Sequence, residues 1–194
     1  MSSILLAGPA VEPITLTQAK QFLRVEHDDD DDVITILIAA SRRHVETQTR
    51  RALITQRWRL MRDEWPASGC LELLPAPVQT LEAVRVYKRD GTTLAIDLAS
   101  FTLDKSDAPA RLCFRYGMIV IAPPSPERYV NGIEIDVTCG YGDDPEDVPE
   151  PLRHALRMLL THWYDNRGII GENQFVPLPQ SAAALIAPYR VLSL

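Results

Sequence analysis

The hydrophobic periodicity of the chain changes twice along its length, and this limits the folds that the sequence can adopt. Apolar residues recur at helical spacing near both ends, in residues 15–23, 34–52 and 152–163. Between about Gln56 and Tyr141 they alternate with polar residues in short runs separated by Pro, Gly and Asp, which is typical of antiparallel strands. The pattern predicts an α+β protein: a small helical bundle formed by N- and C-terminal helices, with an inserted antiparallel β subdomain.

The length and composition agree with a globular protein built on this plan. The 194 residues include 46% hydrophobic and 24% charged residues, which is ordinary for soluble domains. We assign residues 1–55 and 143–194 to a helical body with a C-terminal arm, and residues 56–142 to the β subdomain. No run approaches the roughly 18 apolar residues of a membrane helix, and the N-terminus lacks a signal peptide's positive charge. We therefore expect a cytoplasmic product with no membrane partner.

The first two predicted helices carry clear end signals. Thr15 and Gln18 have the spacing of a capping box, in which each side chain satisfies the other's backbone N–H. The five aspartates Asp28–Asp32 precede the second helix, whose dipole stabilises carboxylates at its N-terminus. Arg50 and Arg51 lie near its opposite end, where the dipole favours cations.

The third predicted helix lies near the C-terminus. Pro149 and Pro151 fit its first turn, with Asp147 or a neighbour as its cap, and we predict an end at Gly168. Beyond an irregular loop, "SAAALIA" predicts a helical turn or two. Residues 188–194 then form an extended tail, because a proline prevents the helix from continuing.

Two features locate strands in the β subdomain. Asp90 and Gly91 favour a type I′ turn, which predicts a hairpin over residues 84–96. In "GIEIDVTCGY", Glu134 and Asp136 alternate with β-branched apolar residues. This alternation predicts a strand with one face in the core and one face exposed to solvent.

The residues that could support chemistry do not form a recognised site. The aspartate run lacks the central glycine and terminal glutamate of a calcium-binding loop, so we interpret it as a solvated helix cap. His154 and His162 lie about 80° apart around the third helix and are too distant to share one metal ion. Cys70, Cys113 and Cys139 lack CxxC spacing, so we interpret them as buried free thiols. We predict no catalytic, cofactor-binding or metal-binding residue and no enzymatic activity.

Arginines are concentrated in the second helix and the strand after it. They are Arg42, Arg43, Arg50, Arg51, Arg57, Arg59 and Arg62. Such a stripe is compatible with a solvated helix face containing ion pairs, with a nucleic-acid contact, or with binding to acidic residues of a neighbouring subunit. The net charge of −6 favours the protein partner over nucleic acid, since DNA binding requires a basic surface.

The sequence resembles the head-to-tail connector proteins, also called adaptor or head-completion proteins, of tailed phages and gene transfer agents. The matching stretches follow one another in order along most of the chain: "ITLTQAKQFLRV", "LIAASRRHVETQTRRALITQRWRL", "LELLPAPVQTLEAVRVYKRDG", "VTCGYGDDPEDVPEPLRHALRMLLTHWYDNRG" and "AALIAPYRV". None of them is a catalytic signature, so the resemblance rests on structural residues.

The resemblance implies a structural protein that forms a ring, commonly of twelve copies, beneath the portal at the capsid vertex. The ring binds the portal on one side and a stopper or tail protein on the other, DNA passes through its centre, and no cofactor takes part. The protein is made in the bacterial host cytoplasm and ends in the virion.

In the family, the helical body is associated with ring formation and the end of the chain with portal contact. We place the subunit interface on helix faces at Arg42, Arg43, Arg50, Arg51, Leu152, Leu156 and Trp163. The portal-binding arm comprises Leu185, Tyr189, Arg190, Val191 and Leu192. The alternatives are a stopper or tail-terminator, a DNA-binding packaging accessory that uses the arginines of the second helix, and a small hydrolase or metal enzyme.

Overall fold

The computed structural model of the protein describes residues 2–114, 124–166 and 179–192. The chain divides into two compact units, a β unit that contains Thr55–Tyr141 and the first nine residues, and a helical unit formed by Ala10–Ile54 and Gly142–Leu192. Helices and antiparallel sheets both contribute, which confirms the predicted α+β class. The helices are α1 (Leu16–Leu23), α2 (Asp31–Thr49), α3 (Glu150–Asp165) and α4 (Gln180–Ile186).

The capping box predicted for α1 is present. The Thr15 hydroxyl accepts a hydrogen bond from the Gln18 N–H, and the Gln18 side chain accepts one from the Thr15 N–H. The helix ends at Arg24, which has a left-handed backbone conformation with φ of 58°. Residues adjacent in sequence therefore set the N-terminal end of α1.

The long helix α2 buries one stripe of its surface. Its buried residues are Ile34, Ile38, Ser41, Arg42, Val45 and Thr49. The apolar residues among them recur at the spacing that predicted the helix. Asp30 occupies the N-cap position but makes no capping side-chain hydrogen bond there. The aspartate run therefore contributes its charge near the helix N-terminus rather than a side-chain cap.

The start of α3 differs from the prediction in detail. The helix begins at Glu150 with Pro149 as its N-cap, whereas Asp147 closes a preceding 3₁₀ turn, Pro145–Asp147, together with Asp144. Gly168, the predicted C-terminal glycine, lies outside the described residues.

The β unit contains two antiparallel sheets. Five strands in the order β1-β2-β8-β4-β5 form one sheet, and three strands in the order β3-β7-β6 form the other. The strands are β1 (Ser2–Ala7), β2 (Gln56–Arg62), β3 (Cys70–Leu73), β4 (Val78–Tyr87), β5 (Thr93–Ile96), β6 (Phe101–Asp104), β7 (Ala110–Phe114) and β8 (Ile133–Cys139).

The N-terminal residues form a strand that the sequence reading missed. The predicted helical body includes these residues, but β1 pairs with β2, with Ser2 opposite Met61 and Leu5 opposite Trp58. The pairing partner lies more than fifty residues away in sequence, and a run of six mostly apolar residues has no alternation that would mark a strand.

The predicted hairpin is present, with a different turn. Val84 lies opposite Ile96, as expected. Gly91, but not Asp90, has a positive φ, and the Gly91 N–H donates to the Lys88 carbonyl at 3.1 Å. The geometry is that of a type I turn followed by a left-handed glycine rather than a type I′ turn.

The prediction that one face of β8 is exposed to solvent is wrong. Glu134 and Asp136 are only 3% and 4% exposed. Because β8 lies in the centre of the sheet, arginines from both neighbouring strands cover the two carboxylates. Arg59 Nε lies 2.8 Å from Asp136 Oδ1, and Arg85 Nη1 lies 2.5 Å from Glu134 Oε1 and 2.8 Å from Asp136 Oδ2. The Tyr87 hydroxyl also donates to Glu134.

Two of the three cysteines are not free thiols, contrary to the prediction. Cys70 of β3 and Cys113 of β7 lie opposite each other in register and form a disulfide. Their separation of 43 residues hid the pairing in the sequence. Cys139 is free and buried, and burial raises the pKa of its thiol to about 12.

Replacing Gly142 with alanine should destabilise the protein. A Cβ atom at this position would lie 1.9 Å from Asp147 Oδ2 and 2.6 Å from the Asp147 Cβ, so the tight turn before α3 would have to move. We expect Gly142→Ala to lower the free energy of unfolding by about 1–3 kcal/mol in urea titrations. Gly8→Ala is the control, since its nearest neighbour is Leu5 Cδ2 at 3.9 Å; equal effects of the two variants would contradict the prediction.

Neutralising Asp136 should destabilise the protein in a pH-dependent way. Burial alone would raise the pKa of Asp136, but hydrogen bonds and attraction from Arg59 and Arg85 outweigh it and lower the pKa below the ordinary 3.8. A lowered folded-state pKa gives stability that is present above pH 3.8 and is lost as the pH falls through the folded-state pKa.

We expect Asp136→Asn to cost about 2 kcal/mol at pH 7, because hydrogen bonds to a charged group are lost. The cost should shrink below about pH 4, where the wild-type carboxylate also becomes protonated. Chemical denaturation at several pH values measures both effects. Glu72→Gln, on the exposed side of β3, is the control, with a change within about 0.5 kcal/mol.

Candidate interaction surfaces

The described part of the chain holds no arrangement suited to metal chemistry. Within residues 2–114, 124–166 and 179–192, no group of three or more His, Cys, Asp or Glu side chains could hold a metal ion. No helix in the same ranges is long and apolar enough to cross a membrane.

Part of the acidic run before α2 forms ion pairs and hydrogen bonds within the helical unit. Lys20 Nζ lies 2.6 Å from Asp28 Oδ1 and 2.7 Å from Asp31 Oδ1. These hydrogen bonds raise the pKa of Lys20, and the one to Asp28 lowers the pKa of that carboxyl. The Tyr164 hydroxyl donates to Asp30. Asp29 and Asp32, by contrast, are exposed.

Arg42, which we predicted at the subunit interface, is buried inside the helical unit. Its Nε lies 2.7 Å from Glu12 Oε2 and its Nη1 lies 2.7 Å from Glu46 Oε2. Burial alone would lower the pKa of Arg42, but the hydrogen bonds and charges of the two glutamates outweigh it and raise the pKa. With 7% of its surface exposed, Arg42 serves the unit's own packing rather than a partner.

The other predicted arginines lie nearer the surface. Arg43 is exposed on the side of α2 away from the core, and Arg50 is exposed at the helix C-cap, with φ of 56°. Arg51 is half-buried and donates from its Nε to the Tyr189 carbonyl. Arg43 is thus available to a partner, whereas Arg51 holds a segment of the same chain.

The predicted interface residues of α3 lie mainly in the core. Leu152 and Leu156 are fully buried, because the apolar stripe that marked them in the sequence is the stripe that packs against the rest of the helical unit. A side chain buried in its own subunit cannot contact another, so we remove both from the interface. Trp163 is half-buried, and its ring meets His44 edge-on, with centroids 5.8 Å apart.

The C-terminal segment is docked on the end of α2 and does not extend as a free arm. Leu185 is half-buried in α4 and Val191 is 5% exposed. The Val191 N–H donates to the Thr49 carbonyl at 3.0 Å, and Arg51 Nε lies 2.7 Å from the Tyr189 carbonyl. The helical unit itself therefore orders the predicted portal-binding arm up to Val191.

Two residues of the segment remain accessible. Arg190 is exposed and donates from Nη2 to Gln48 Oε1 at 3.1 Å, and Leu192 is 86% exposed. A portal contact by this segment stays a prediction. It would have to use these two side chains or displace the docked residues.

Sequence reasoning missed an exposed apolar surface on α2. Val33 and Ile36 are 38% and 67% exposed. Ile36 lies two positions from the buried residues Ile34 and Ile38, which is about 200° around a helix, and so it faces away from the core. The available signal was that both residues fall outside the apolar stripe.

A second exposed apolar surface lies on the β unit. Ile4, Leu5 and Leu6 of β1 are between 41% and 50% exposed. The strand forms one edge of the five-stranded sheet and contains neither charge nor proline, which commonly protect edge strands from pairing with other chains.

The docked C-terminal segment gives a direct test of the structure. Val191→Ser removes a buried apolar side chain and should lower the free energy of unfolding by about 2 kcal/mol. Leu192→Ser, at the exposed neighbouring position, should change it by less than about 0.5 kcal/mol. Thermal or urea unfolding compares the two variants. Equal stability of both variants and the wild type would mean that the segment is not docked.

Known proteins share parts of this sequence and fold. Residues 13–90 match the family model described as phage gp6-like head-tail connector protein. No curated protein sequence matches the chain.

Solved structures of gene transfer agent (GTA) particles contain chains of similar fold. One, in the neck of an empty GTA particle computed with C6 symmetry, has a TM-score of 0.80 and 21% identity, covering 100% of this chain and 97% of that chain. A chain in the virion of a native GTA particle has a TM-score of 0.82 and 22% identity, with the same coverage. A chain in the neck of a native GTA particle computed with C12 symmetry has a TM-score of 0.73 and 24% identity, covering 98% of this chain and 97% of that chain.

The two kinds of similarity complement each other. The family model matches α1, α2 and strands β2, β3 and β4, and the structural similarity extends over essentially the whole chain. At these identities the structural similarity establishes the fold. The chain therefore has the fold of chains in gene transfer agent neck and virion structures, and its resemblance to the head-to-tail connector family is confirmed.

Proposed function

We propose that the protein is a head-to-tail adaptor, a structural component that forms a ring in the neck of a tailed phage or gene transfer agent particle. The ring joins the portal to a stopper or tail protein, and DNA passes through its centre. The observation that carries this proposal is the full-length similarity to chains from GTA neck structures, with TM-scores of 0.73 to 0.82. The family match over residues 13–90 supports it independently.

The physical character of the helical unit suits a ring subunit. Leu152, Leu156 and Arg42 hold the unit together from inside, which leaves its surface to other molecules. The exposed side of α2 carries Val33 and Ile36, apolar side chains that gain free energy when a partner removes them from water. Rings require a contact between two different surfaces of neighbouring copies, repeated around an axis. The C6 and C12 symmetries named for the similar neck structures are consistent with such an assembly.

The charge of the chain suits a channel through which DNA moves without being held. A net charge of −6 disfavours extensive phosphate binding, which depends on many cationic side chains displacing counterions. The exposed Arg43, Arg50 and Arg190 favour one rival, a DNA-binding packaging accessory. Binding of the protein to duplex DNA at low salt, with affinity that falls steeply as salt rises, would support that rival.

The proposal predicts a specific assembly defect. Particles made without this protein should have heads with portals but no attached tails, and the wild-type gene supplied in trans should restore the tails. Electron microscopy of purified particles measures the fraction of heads with tails. Its reconstructions should show density for the protein between portal and tail.

Two results would contradict the proposal. Complete particles assembled without the protein would rule out an essential adaptor. Density for the protein at the far end of the neck, away from the portal, would identify it as a stopper or tail-terminator instead. The wild-type particle is the matched control for both.

A further inference from the structure

Two exposed patches with opposite charge lie at the two ends of α2. The acidic patch lies at the N-terminal end and consists of Asp28, Asp29, Asp32, Val33 and Ile36. The basic patch lies towards the C-terminal end and consists of Arg43, Arg50, Arg190 and Leu192. A helix of the length of α2 extends about 28 Å. The N-terminal end of the acidic patch and the C-terminal end of the basic patch are therefore far apart.

The acidic patch combines accessible carboxylates with an apolar surface. The side chains of Asp28 and Asp29 are 89% and 95% exposed, and Asp32 is also exposed. Ile36, at 67% exposure, lies on the side of α2 that faces away from the core.

The basic patch has a matching composition. Within the described residues, no carboxylate lies within ion-pair distance of Arg43 or Arg190. The hydrogen bond from the Val191 N–H to the Thr49 carbonyl fixes the segment that carries Arg190 and Leu192 at the end of α2. Leu192 is therefore held at the surface with 86% of its area in water.

We infer that the acidic patch of one copy binds the basic patch of the next copy, so that helical units contact each other head to tail. This rests on the proposed ring and names its contact. The occupant is a second copy because the chain itself carries both complementary surfaces, with carboxylates opposite guanidinium groups and apolar residues beside each. Two different surfaces on one subunit form a heterologous contact, which closes into a ring when the rotation between neighbours permits.

The contact gives the C-terminal segment a role within the ring. Its docking on α2 presents Arg190 and Leu192 to the neighbouring copy, in place of the portal contact predicted from the sequence. Exposed ion pairs are individually weak and are screened by salt, so we expect association that strengthens as ionic strength is lowered.

Charge reversal tests the inference. One variant carries Asp29→Arg and Asp32→Arg, and a second carries Arg43→Glu and Arg190→Glu. Each should weaken self-association about tenfold or more, because attraction becomes repulsion at two positions. An equimolar mixture of the two variants should associate again, since each then offers the charge that the other lacks. A chain with all four substitutions should also recover. Sedimentation velocity at low salt measures association, and circular dichroism confirms that each variant is folded.

Two further variants separate the contact from general effects. Ile36→Ser keeps every charge and should also weaken association. Glu146→Arg with Asp165→Arg reverses two exposed charges outside the patches and should leave association unchanged.

Three outcomes would overturn the inference. The first is that the wild type, or the mixture, does not associate at low salt. The second is that the reversal variants associate as well as the wild type, and the third is that the chain with four substitutions does not recover association. The inference would also be overturned if the variant with Arg43→Glu and Arg190→Glu lost portal binding but kept self-association. That result would assign the basic patch to the portal. None of these outcomes alters the particle phenotype that tests the proposed function, so the two can fail separately.

Discussion

The helical unit depends on the buried guanidinium group of Arg42. It joins Glu12, which precedes α1, to Glu46 of α2, and Glu46 in turn accepts a hydrogen bond from the Leu53 N–H beyond that helix. A buried charge is tolerated only when its partners surround it, and removing one partner typically costs about 3–5 kcal/mol. The network therefore joins α2 to the segment before α1 and to the segment that follows α2.

Local signals in the sequence were sufficient for features that involve neighbouring residues. The capping box at Thr15 depends on a contact three residues away, and the hairpin depends on a short turn, so both could be predicted from residues close in sequence. The disulfide between Cys70 and Cys113 and the pairing of β1 with β2 depend on residues distant in sequence. A single sequence does not show which residues of two distant segments lie opposite each other. The burial of Glu134 and Asp136 was missed for the same reason, since the covering arginines belong to other strands.

The candidate surfaces were only partly predictable, because the same residue type serves two purposes. Arg42 and Arg43 are adjacent in sequence, yet one is buried in an ion-pair network and the other is exposed, since successive residues point about 100° apart around a helix. Leu152 and Leu156 were chosen because they form an apolar stripe, and that stripe is the core of the unit. Ile36 breaks the stripe of α2. Such deviations from a helix's own pattern are better indicators of a partner surface than the pattern itself.

The position of β1 ahead of α1 and α2 in the sequence has a consequence for synthesis on the ribosome. Ser2 and Leu5 leave the exit tunnel before their partners Met61 and Trp58, which follow only after the whole of α1 and α2. The central strand β8 emerges later still, so the five-stranded sheet cannot close until most of the polypeptide has been translated. Until β2 has emerged, the charge-free apolar segment β1 has no pairing partner on the nascent chain, where it is open to chaperones and to premature association with other chains.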